Sequence, residues 1–117
     1  AGVVCRALVE VNLTDDPGRT GARPEEATLL VAAAANHPHV AVRGLMGMAR
    51  IPDGDAGAAR HDFARLRELR DRLAPSAPTG ALPDLSMGMS GDFEAAIAEG
   101  STIVRIGSAL FAGVERT

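Results

Sequence analysis

Residues 84–113 read DLSMGMSGDFEAAIAEGSTIVRIGSALFAG, and this stretch decides the fold. Its pattern predicts a strand, a turn of small residues, a helix, a second strand and a second turn of small residues. The first turn, residues 86–91, combines hydroxyl groups with two glycines, which let the backbone approach a ligand closely. Asp92 can cap a helix over residues 93–99, and Gly100 stands where a helix commonly turns at its C-terminus.

The second strand of this stretch covers residues 103–106, an apolar run that is interrupted by Arg105 and followed by Gly107 and Ser108. Two strand ends that are each followed by glycine and serine are typical of α/β proteins that bind phosphate. The backbone N–H groups and the helix dipoles then favour the anion. The pattern therefore predicts a phosphate-binding edge.

Composition limits the classes of protein that the chain can represent. Its 117 residues suffice for one small domain, and with 46% hydrophobic but only 3% aromatic residues the core has to be mostly aliphatic. The net charge of −3 gives no reason to expect nucleic acid or an anionic membrane as partner. No signal peptide and no apolar run of about 20 residues is visible, so a cytoplasmic location is expected. Cys5 lies in an apolar run and is expected to be buried.

The chain begins with a strand and a helix. An apolar run predicts a buried strand, best placed over residues 7–11, and a loop rich in turn-forming residues follows at residues 14–21. Pro24 fits the first turn of a helix that is expected to stop near Asn36. The apolar positions of this helix recur at helical spacing: Ala27, Leu30, Val31 and Ala34.

A second strand and a longer helix come next. Residues 40–48 predict the strand, in which Gly44 and Gly47 are placed for close backbone contact. The helix over residues 58–74 carries one apolar stripe, formed by Phe63, Leu66, Leu69 and Leu73. Its opposite face bears charges of both signs and is expected to be solvated: Arg65, Arg67, Glu68, Arg70, Asp71 and Arg72.

Strand and helix thus alternate four times along the sequence. Four βα units predict an α/β fold with a parallel sheet and right-handed crossovers. Four strands cannot close an ordinary (βα)8 barrel, which has eight strands and about 250 residues.

The segment LSMGMSGDFEAAIAEGSTIVRIGSALFAG closely resembles the C-terminal signature of the pyridoxal phosphate homeostasis protein family. These proteins are one-domain relatives of the barrel domain of alanine racemase, with pyridoxal phosphate fold type III. The similarity extends upstream through RGLM at residues 43–46 and VEVN at residues 9–12. It implies that residues 1–117 are a single partial domain, the C-terminal half of a TIM barrel of the alanine racemase N-terminal domain type. The N-terminal half, with the Schiff-base lysine of the family, would be absent.

The resemblance also implies the cofactor and the residues that hold it. Ser90, Gly107 and Ser108 would bind the phosphate of pyridoxal 5'-phosphate. Met89 would add a backbone contact near it, and core packing is the alternative role for Met89. Asn12, at the end of a strand, would line the mouth of the pocket, and a structural role for it is equally open.

Arg105 would face the pyridine nitrogen of the cofactor in such a site. The alternative is an ordinary buried salt bridge, for instance to Glu10 or Asp84, because an unpaired charge inside an apolar strand is strongly unfavourable.

All 12 basic residues are arginines, and arginine cannot form the Schiff base that lysine forms with pyridoxal phosphate. The chain is therefore expected to hold the cofactor non-covalently at most, and no catalytic residue is assigned. No metal site is expected either, since His37, His39 and His61 have no metal-like arrangement and are expected at the surface.

The implied function is intracellular pyridoxal phosphate homeostasis: the protein would buffer and deliver the cofactor and would not be an enzyme. One alternative is a fragment of a fold type III amino-acid racemase, although the chain has no tyrosine to act as a second acid or base. Another is a non-functional truncated half-barrel. Because half a barrel exposes strand edges and an apolar inner face, the chain is expected to need its missing N-terminal half or to self-associate.

Overall fold

The computed structural model describes residues 4–14, 20–49, 56–77, 80–89 and 91–104. In chain order its elements are β1 (Cys5–Glu10), α1 (Pro24–Ala33), a 3₁₀ turn (Ala34–Asn36), β2 (Val40–Gly47), α2 (Ala56–Leu73), a second 3₁₀ turn (Ala74–Ser76), β3 (Asp84–Met87) and α3 (Phe93–Ala98). The predicted order of strands and helices is confirmed in these ranges. Strand β1 and helix α2 each begin two residues earlier than predicted.

The three strands form one parallel sheet in the order β1-β2-β3. Its register aligns Glu10 with Met46 and Met46 with Ser86, and an isolated parallel bridge joins Ser86 to Ile103. Ile103 is the first residue of the strand predicted over residues 103–106, and residues 105–117 lie outside the described ranges. The structure therefore establishes a parallel α/β sheet.

One hydrophobic core joins the sheet to all three helices. The apolar stripe of α2 is buried as predicted, with 0% exposure at Phe63 and Leu66 and 4% at Leu69 and Leu73. It shares a single cluster with Leu45 of β2, Leu85 of β3 and Ala96 of α3. Burial of one side chain of the size of leucine or phenylalanine contributes about 1.5–3 kcal/mol. The helices thus cover the sheet face that Leu45 and Leu85 share.

The opposite sheet face carries the register row Glu10, Met46, Ser86 and Ile103, because side chains alternate between the two faces of a strand. We call this row the open face. Ser86 is 4% exposed, whereas Ile103 is 42% exposed. The three described helices pack on the opposite face, the one that carries Leu45 and Leu85.

A close approach between β2 and β3 depends on glycine. The register between β1 and β2 shifts after Ala7, where Arg43 is the extra residue of β2. The guanidinium of Arg43 lies 3.7 Å from the carboxylate of Asp84 in β3. The next residue, Gly44, lies so close to β3 that a Cβ atom there would overlap the Asp84 carbonyl oxygen. The predicted close backbone contact is confirmed at Gly44.

The prediction that Cys5 is buried is wrong. Cys5 is exposed, because it is the first residue of β1, whose side chains become less exposed only further along the strand. Leu30 is 49% exposed, although it stands among the apolar positions that recur at helical spacing in α1. Ala27 and Val31, one helical turn apart, face the core at 0% exposure. Leu30 therefore lies at the margin of the buried face.

The charged face of α2 is solvated only in part. Four of its members are exposed: Arg65, Glu68, Asp71 and Arg72. The prediction is wrong for Arg67 and Arg70, which are half-buried and bind other parts of the chain. Arg67 donates to Glu99 beyond α3 at 2.6 Å, and Arg70 donates to the backbone carbonyl of Leu82 at 3.3 Å. Both contacts join α2 to residues far away in the sequence. The periodicity of one helix does not reveal such contacts.

Candidate functional site at the carboxyl edge of the sheet

The carboxyl ends of the strands meet at one edge of the sheet because the strands are parallel. Asn12 lies two residues beyond β1, and Met48 directly follows β2. Gly88 and Met89 directly follow β3. Asn12 and Met89, both predicted to contact a cofactor, thus lie at the same edge, two strand spacings or about 10 Å apart across the sheet.

The turn after β3 is packed against α3. Gly88 has φ of 102°, a conformation that side-chain-bearing residues rarely adopt. A Cβ atom there would lie 2.7 Å from the Ala96 Cβ and 3.2 Å from the Phe93 Cα. The turn predicted over residues 86–91 begins later than expected, because Ser86 and Met87 belong to β3. Packing against α3 is itself enough to require glycine at position 88.

Asp92 stands at the N-cap of α3, as predicted, but makes a different bond. Its side chain makes no capping hydrogen bond to the helix. Instead its carboxylate accepts the backbone N–H of Met89 at 2.7 Å, and its own N–H donates to the Met89 carbonyl at 3.1 Å. Asp92 therefore occupies the predicted N-cap position but does not make the predicted capping hydrogen bond, because its carboxylate points toward the turn before α3.

Met89 is 38% exposed at this edge. Its backbone N–H already donates to Asp92. A ligand at this edge would therefore contact the thioether side chain of Met89. The role of Met89 in binding a cofactor stays a prediction.

Asn12 organises the loop that follows β1. Its Oδ1 accepts both the backbone N–H of Thr14 at 2.9 Å and the Thr14 hydroxyl at 2.6 Å. Its backbone N–H donates to the Ala22 carbonyl at 2.8 Å. These bonds show the structural role that the sequence left open, and they place the half-buried amide at the strand edge.

Two hydroxyl groups after α3 were not singled out from the sequence. The Ser101 hydroxyl lies 2.7 Å from the Met87 carbonyl oxygen and 2.9 Å from that of Ile103. The Thr102 hydroxyl accepts the backbone N–H of Leu85 at 2.9 Å. Together they tie the exit of α3 to β3. The sequence contained a signal for this role, because Ser101 and Thr102 stand between Gly100, which ends the helix, and the apolar run that begins at Ile103.

Four of the predicted site residues lie outside the described ranges: Ser90, Arg105, Gly107 and Ser108. Their nearest described neighbours in sequence are Met89 and Gly91 beside Ser90 and Val104 before Arg105. Because Ser86 and Ile103 are joined by a parallel bridge, the chain runs toward the same edge of the sheet at Met89 and at Val104. The shared pocket stays a prediction.

The two alternative salt-bridge partners of Arg105 have other contacts. Glu10 accepts the hydroxyl of Thr20 at 2.7 Å. Asp84 lies 3.7 Å from the Arg43 guanidinium and 3.5 Å from the Thr102 hydroxyl. Neither contact excludes a further bond to Arg105, so the choice between cofactor and salt bridge stays open.

Surface cavities that the described residues line also lie on the helical side of the domain. One of about 510 Å³ is lined by Leu13, Pro24, Arg65, Glu68, Leu69, Asp71 and Arg72. Another of about 360 Å³ adjoins it between α1 and α2 and shares Pro24, Leu69 and Arg72 with it. Of the predicted site residues, the structure describes Asn12 and Met89, and neither lines these cavities. Leu13, which follows Asn12, lines the 510 Å³ cavity.

Metal ligands and membrane spans can be assessed in the described ranges. His37, His39 and His61 are exposed, as predicted. In this part of the chain, no group of three or more histidine, cysteine, aspartate or glutamate residues is arranged to hold a metal ion. Nor does any helix described there combine the length and apolar character needed to cross a bilayer.

Comparison with known sequences identifies relatives of the whole chain. The family described as alanine racemase, N-terminal domain, matches residues 1–114. The pyridoxal phosphate homeostasis protein of Aquifex aeolicus is 44% identical over 109 residues, which are 93% of this chain and 47% of that protein. The protein of the same name from Vibrio cholerae is 40% identical over 107 residues, 91% of this chain and 44% of that protein. The chain thus spans about half the length of the curated relatives it matches.

Solved structures give the same relationship. A protein of unknown function from Bifidobacterium adolescentis superposes with a TM-score of 0.83 at 36% identity, over 94% of this chain and 44% of that one. PipY of Synechococcus elongatus with pyridoxal phosphate bound superposes with a TM-score of 0.82 at 33% identity, over 94% of this chain and 50% of PipY. The resemblance to pyridoxal phosphate homeostasis proteins is therefore confirmed, and the chain belongs to the alanine racemase N-terminal domain family.

Proposed function

We propose that this chain forms the phosphate-binding part of a pyridoxal 5'-phosphate site, in a protein that buffers and delivers the cofactor in the cytoplasm and does not act as an enzyme. The observation that carries the proposal is the structural match to PipY with pyridoxal phosphate bound, at a TM-score of 0.82. The names of the relatives from Aquifex aeolicus and Vibrio cholerae support the same function.

The phosphate contacts are proposed at Ser90 and at the second bend, because a backbone donor of the turn after β3 is already in use. The backbone N–H of Met89 donates to the carboxylate of Asp92 at 2.7 Å. Backbone N–H groups that converge on an anion favour phosphate, and we assign that role to Ser90, Gly107 and Ser108.

The roles of the individual residues follow the order of the two bends. Ser90 would bind the phosphate through its hydroxyl and backbone. Gly107 and Ser108 would add backbone N–H donors, and the Ser108 hydroxyl would also reach the phosphate. Arg105 would face the pyridine nitrogen. An arginine keeps its proton and so leaves that nitrogen unprotonated, which suits storage of the cofactor better than electron withdrawal.

Met89 and Asn12 would form the rim of the site. Met89 offers its thioether, because its N–H is bonded to Asp92. Asn12 is held by Thr14 and would limit the opening of the pocket from the side of β1. When bound, pyridoxal phosphate carries a reactive aldehyde. With arginine as its only basic residue type, this chain would hold the cofactor without a covalent bond.

We further propose that residues 1–117 are one partial domain, four βα units that make the C-terminal half of a (βα)8 barrel. Three parallel strands, a bridge to Ile103 and helices on one face support this arrangement. So does the coverage of 44% to 50% of the related structures. The open face would then be the barrel interior, and a lysine-bearing N-terminal half would complete it.

A racemase fragment is the second candidate. The family takes its description from alanine racemase, which favours this reading at the level of the fold. The chain contains no tyrosine that could supply the second acid or base of a racemase. The names of the relatives favour cofactor handling over racemisation.

Changing Ser90 and Ser108 together to alanine is expected to reduce the affinity for pyridoxal phosphate and for inorganic phosphate by about a hundredfold or more, because each hydroxyl bond to a charged group contributes about 1.5–3 kcal/mol. Isothermal titration of the wild-type chain and the variant measures this change. Ser76→Ala is the matched control, since Ser76 is exposed in the 3₁₀ turn after α2. Unchanged affinity in the double variant, or a wild-type chain that binds neither ligand, would contradict the proposed site.

The half-barrel proposal predicts that the isolated chain does not stay monomeric. Val4, Val40 and Ile103 are exposed hydrophobic residues, with 53%, 40% and 42% exposure, and β1 lies at an edge of the described sheet. Exposed apolar surface and unpaired strand edges favour association. Sedimentation velocity is expected to show dimers or larger species. A rigid, concentration-independent monomer would count against the half-barrel.

A further inference from the structure

The carboxylate of Glu99 lies between two arginines of α2. Its Oε2 accepts from Nη1 of Arg67 at 2.6 Å, and its Oε1 accepts from Nε and Nη2 of Arg60 at 3.3 Å and 3.2 Å. Arg60 and Arg67 are about two helical turns apart and therefore lie on one face of α2. The Glu99 side chain is 13% exposed, so the contact is largely covered on the side of the acid.

Helix α3 needs this support from outside. It has six residues, and a helix of that length is not stable alone in water. Glu99 directly follows it, where the carbonyl ends of a helix disfavour negative charge. The guanidinium groups of Arg60 and Arg67 offset that disadvantage. With side-chain exposures of 55% and 36%, each pair contributes about 1 kcal/mol at most. The pairs therefore determine where α3 lies more than how stable the domain is.

The position of α3 determines the position of the turn after β3. The Cα hydrogen of Gly88 faces Ala96, and a Cβ atom in its place would lie 2.7 Å from the Ala96 Cβ. Asp92, directly before α3, accepts the backbone N–H of Met89 at 2.7 Å. A displacement of α3 would therefore move this N–H and the backbone around it.

We propose that Glu99 is a positioning residue: held by Arg60 and Arg67, it fixes α3 and thereby the backbone of Gly88 and Met89 at the carboxyl edge of the sheet. The effect on phosphate rests on the proposed function. The position of the turn itself can be measured without any ligand.

The test compares two substitutions of Arg67 by nuclear magnetic resonance. Arg67→Met removes the charge and keeps an unbranched side chain, whereas Arg67→Lys keeps a charge that can reach Glu99. In Arg67→Met and in Glu99→Gln, the Gly88 and Met89 amide resonances are expected to shift, and the Met89 amide is expected to exchange with solvent about three- to fivefold faster. Arg67→Lys and the exposed control Glu68→Gln are expected to match the wild-type chain.

The inference would be overturned if the Gly88 and Met89 amide resonances and the Met89 exchange rate were unchanged in both Arg67→Met and Glu99→Gln. An Arg67→Lys variant as perturbed as Arg67→Met would overturn it too, because a positive charge that reaches Glu99 would then not be what holds the turn. Inorganic phosphate titrated into the same samples is expected to bind Arg67→Met about three- to tenfold more weakly than the wild-type chain. If the wild-type chain binds no phosphate, the proposed function fails while the amide data still decide the role of Glu99.

Discussion

A Gly88→Ala variant is expected to lose about 3 kcal/mol or more of its free energy of unfolding, as the sum of backbone strain and overpacking. The φ of 102° is unfavourable for alanine, and the added methyl group would lie 2.7 Å from the Ala96 Cβ and 3.2 Å from the Phe93 Cα. Ala96 is 0% exposed, so it has no free space into which to move. Relief requires α3 to shift away from β3, which would also displace the proposed phosphate turn.

Gly80→Ala is the matched control for this prediction. Gly80 also has a positive φ, of 74°, but a Cβ atom there would meet no described atom within 4 Å. Its cost is therefore backbone strain alone, about 1–2 kcal/mol. Urea denaturation followed by circular dichroism, at one protein concentration, compares the two variants. Equal losses of stability would show that packing against α3 is not what requires glycine at position 88.

The parts of the fold that were predictable are those with a local pattern. The stripe Phe63, Leu66, Leu69 and Leu73 repeats at the helical period, and all four side chains are buried. Such a stripe has one favourable position, against the sheet, whatever the rest of the chain does. The parallel sheet was predictable too, because strands that alternate with helices along the sequence form parallel sheets.

The errors concern residues whose surroundings come from elsewhere in the chain. Leu30 fits the helical period but lies at the margin of a face set by Ala27 and Val31. Arg67 belongs to a charged surface, yet it binds Glu99, which is 32 residues away in sequence. No period within one helix contains that information, because the contact depends on how α3 packs.

The candidate site shows the same division. The sequence predicted a tight turn of small residues after a strand, and Gly88 has the positive φ of such a turn. It did not predict that the Asp92 carboxylate binds the Met89 N–H instead of capping α3. The residue types of a site can be inferred from a motif. Which donor remains free depends on where the Asp92 carboxylate lies, and the motif alone does not specify that.

Gly44→Ala is expected to destabilise the domain by at least about 3 kcal/mol, through overlap and the loss of sheet hydrogen bonds. A methyl group on Gly44 would overlap the backbone carbonyl oxygen of Asp84. A backbone group of a paired strand cannot rotate away as a side chain can. Since β2 pairs with β1 on one side and with β3 on the other, the overlap can be relieved only by separating β3 from β2. Separation would also displace the turn that follows β3.

Gly47→Ala, in the same strand, distinguishes backbone overlap from a general cost of alanine. A methyl group there would lie 3.0 Å from Leu66 Cδ2 and 3.2 Å from Leu13 Cδ1, the flexible ends of two side chains. Small adjustments of these side chains limit the expected cost to about 1 kcal/mol. Denaturation midpoints of the two variants, measured at one protein concentration, should therefore differ clearly. If Gly44→Ala is no less stable than Gly47→Ala, β2 and β3 do not approach as closely as the structure has them, and the edge on which the proposed site depends would have a different shape.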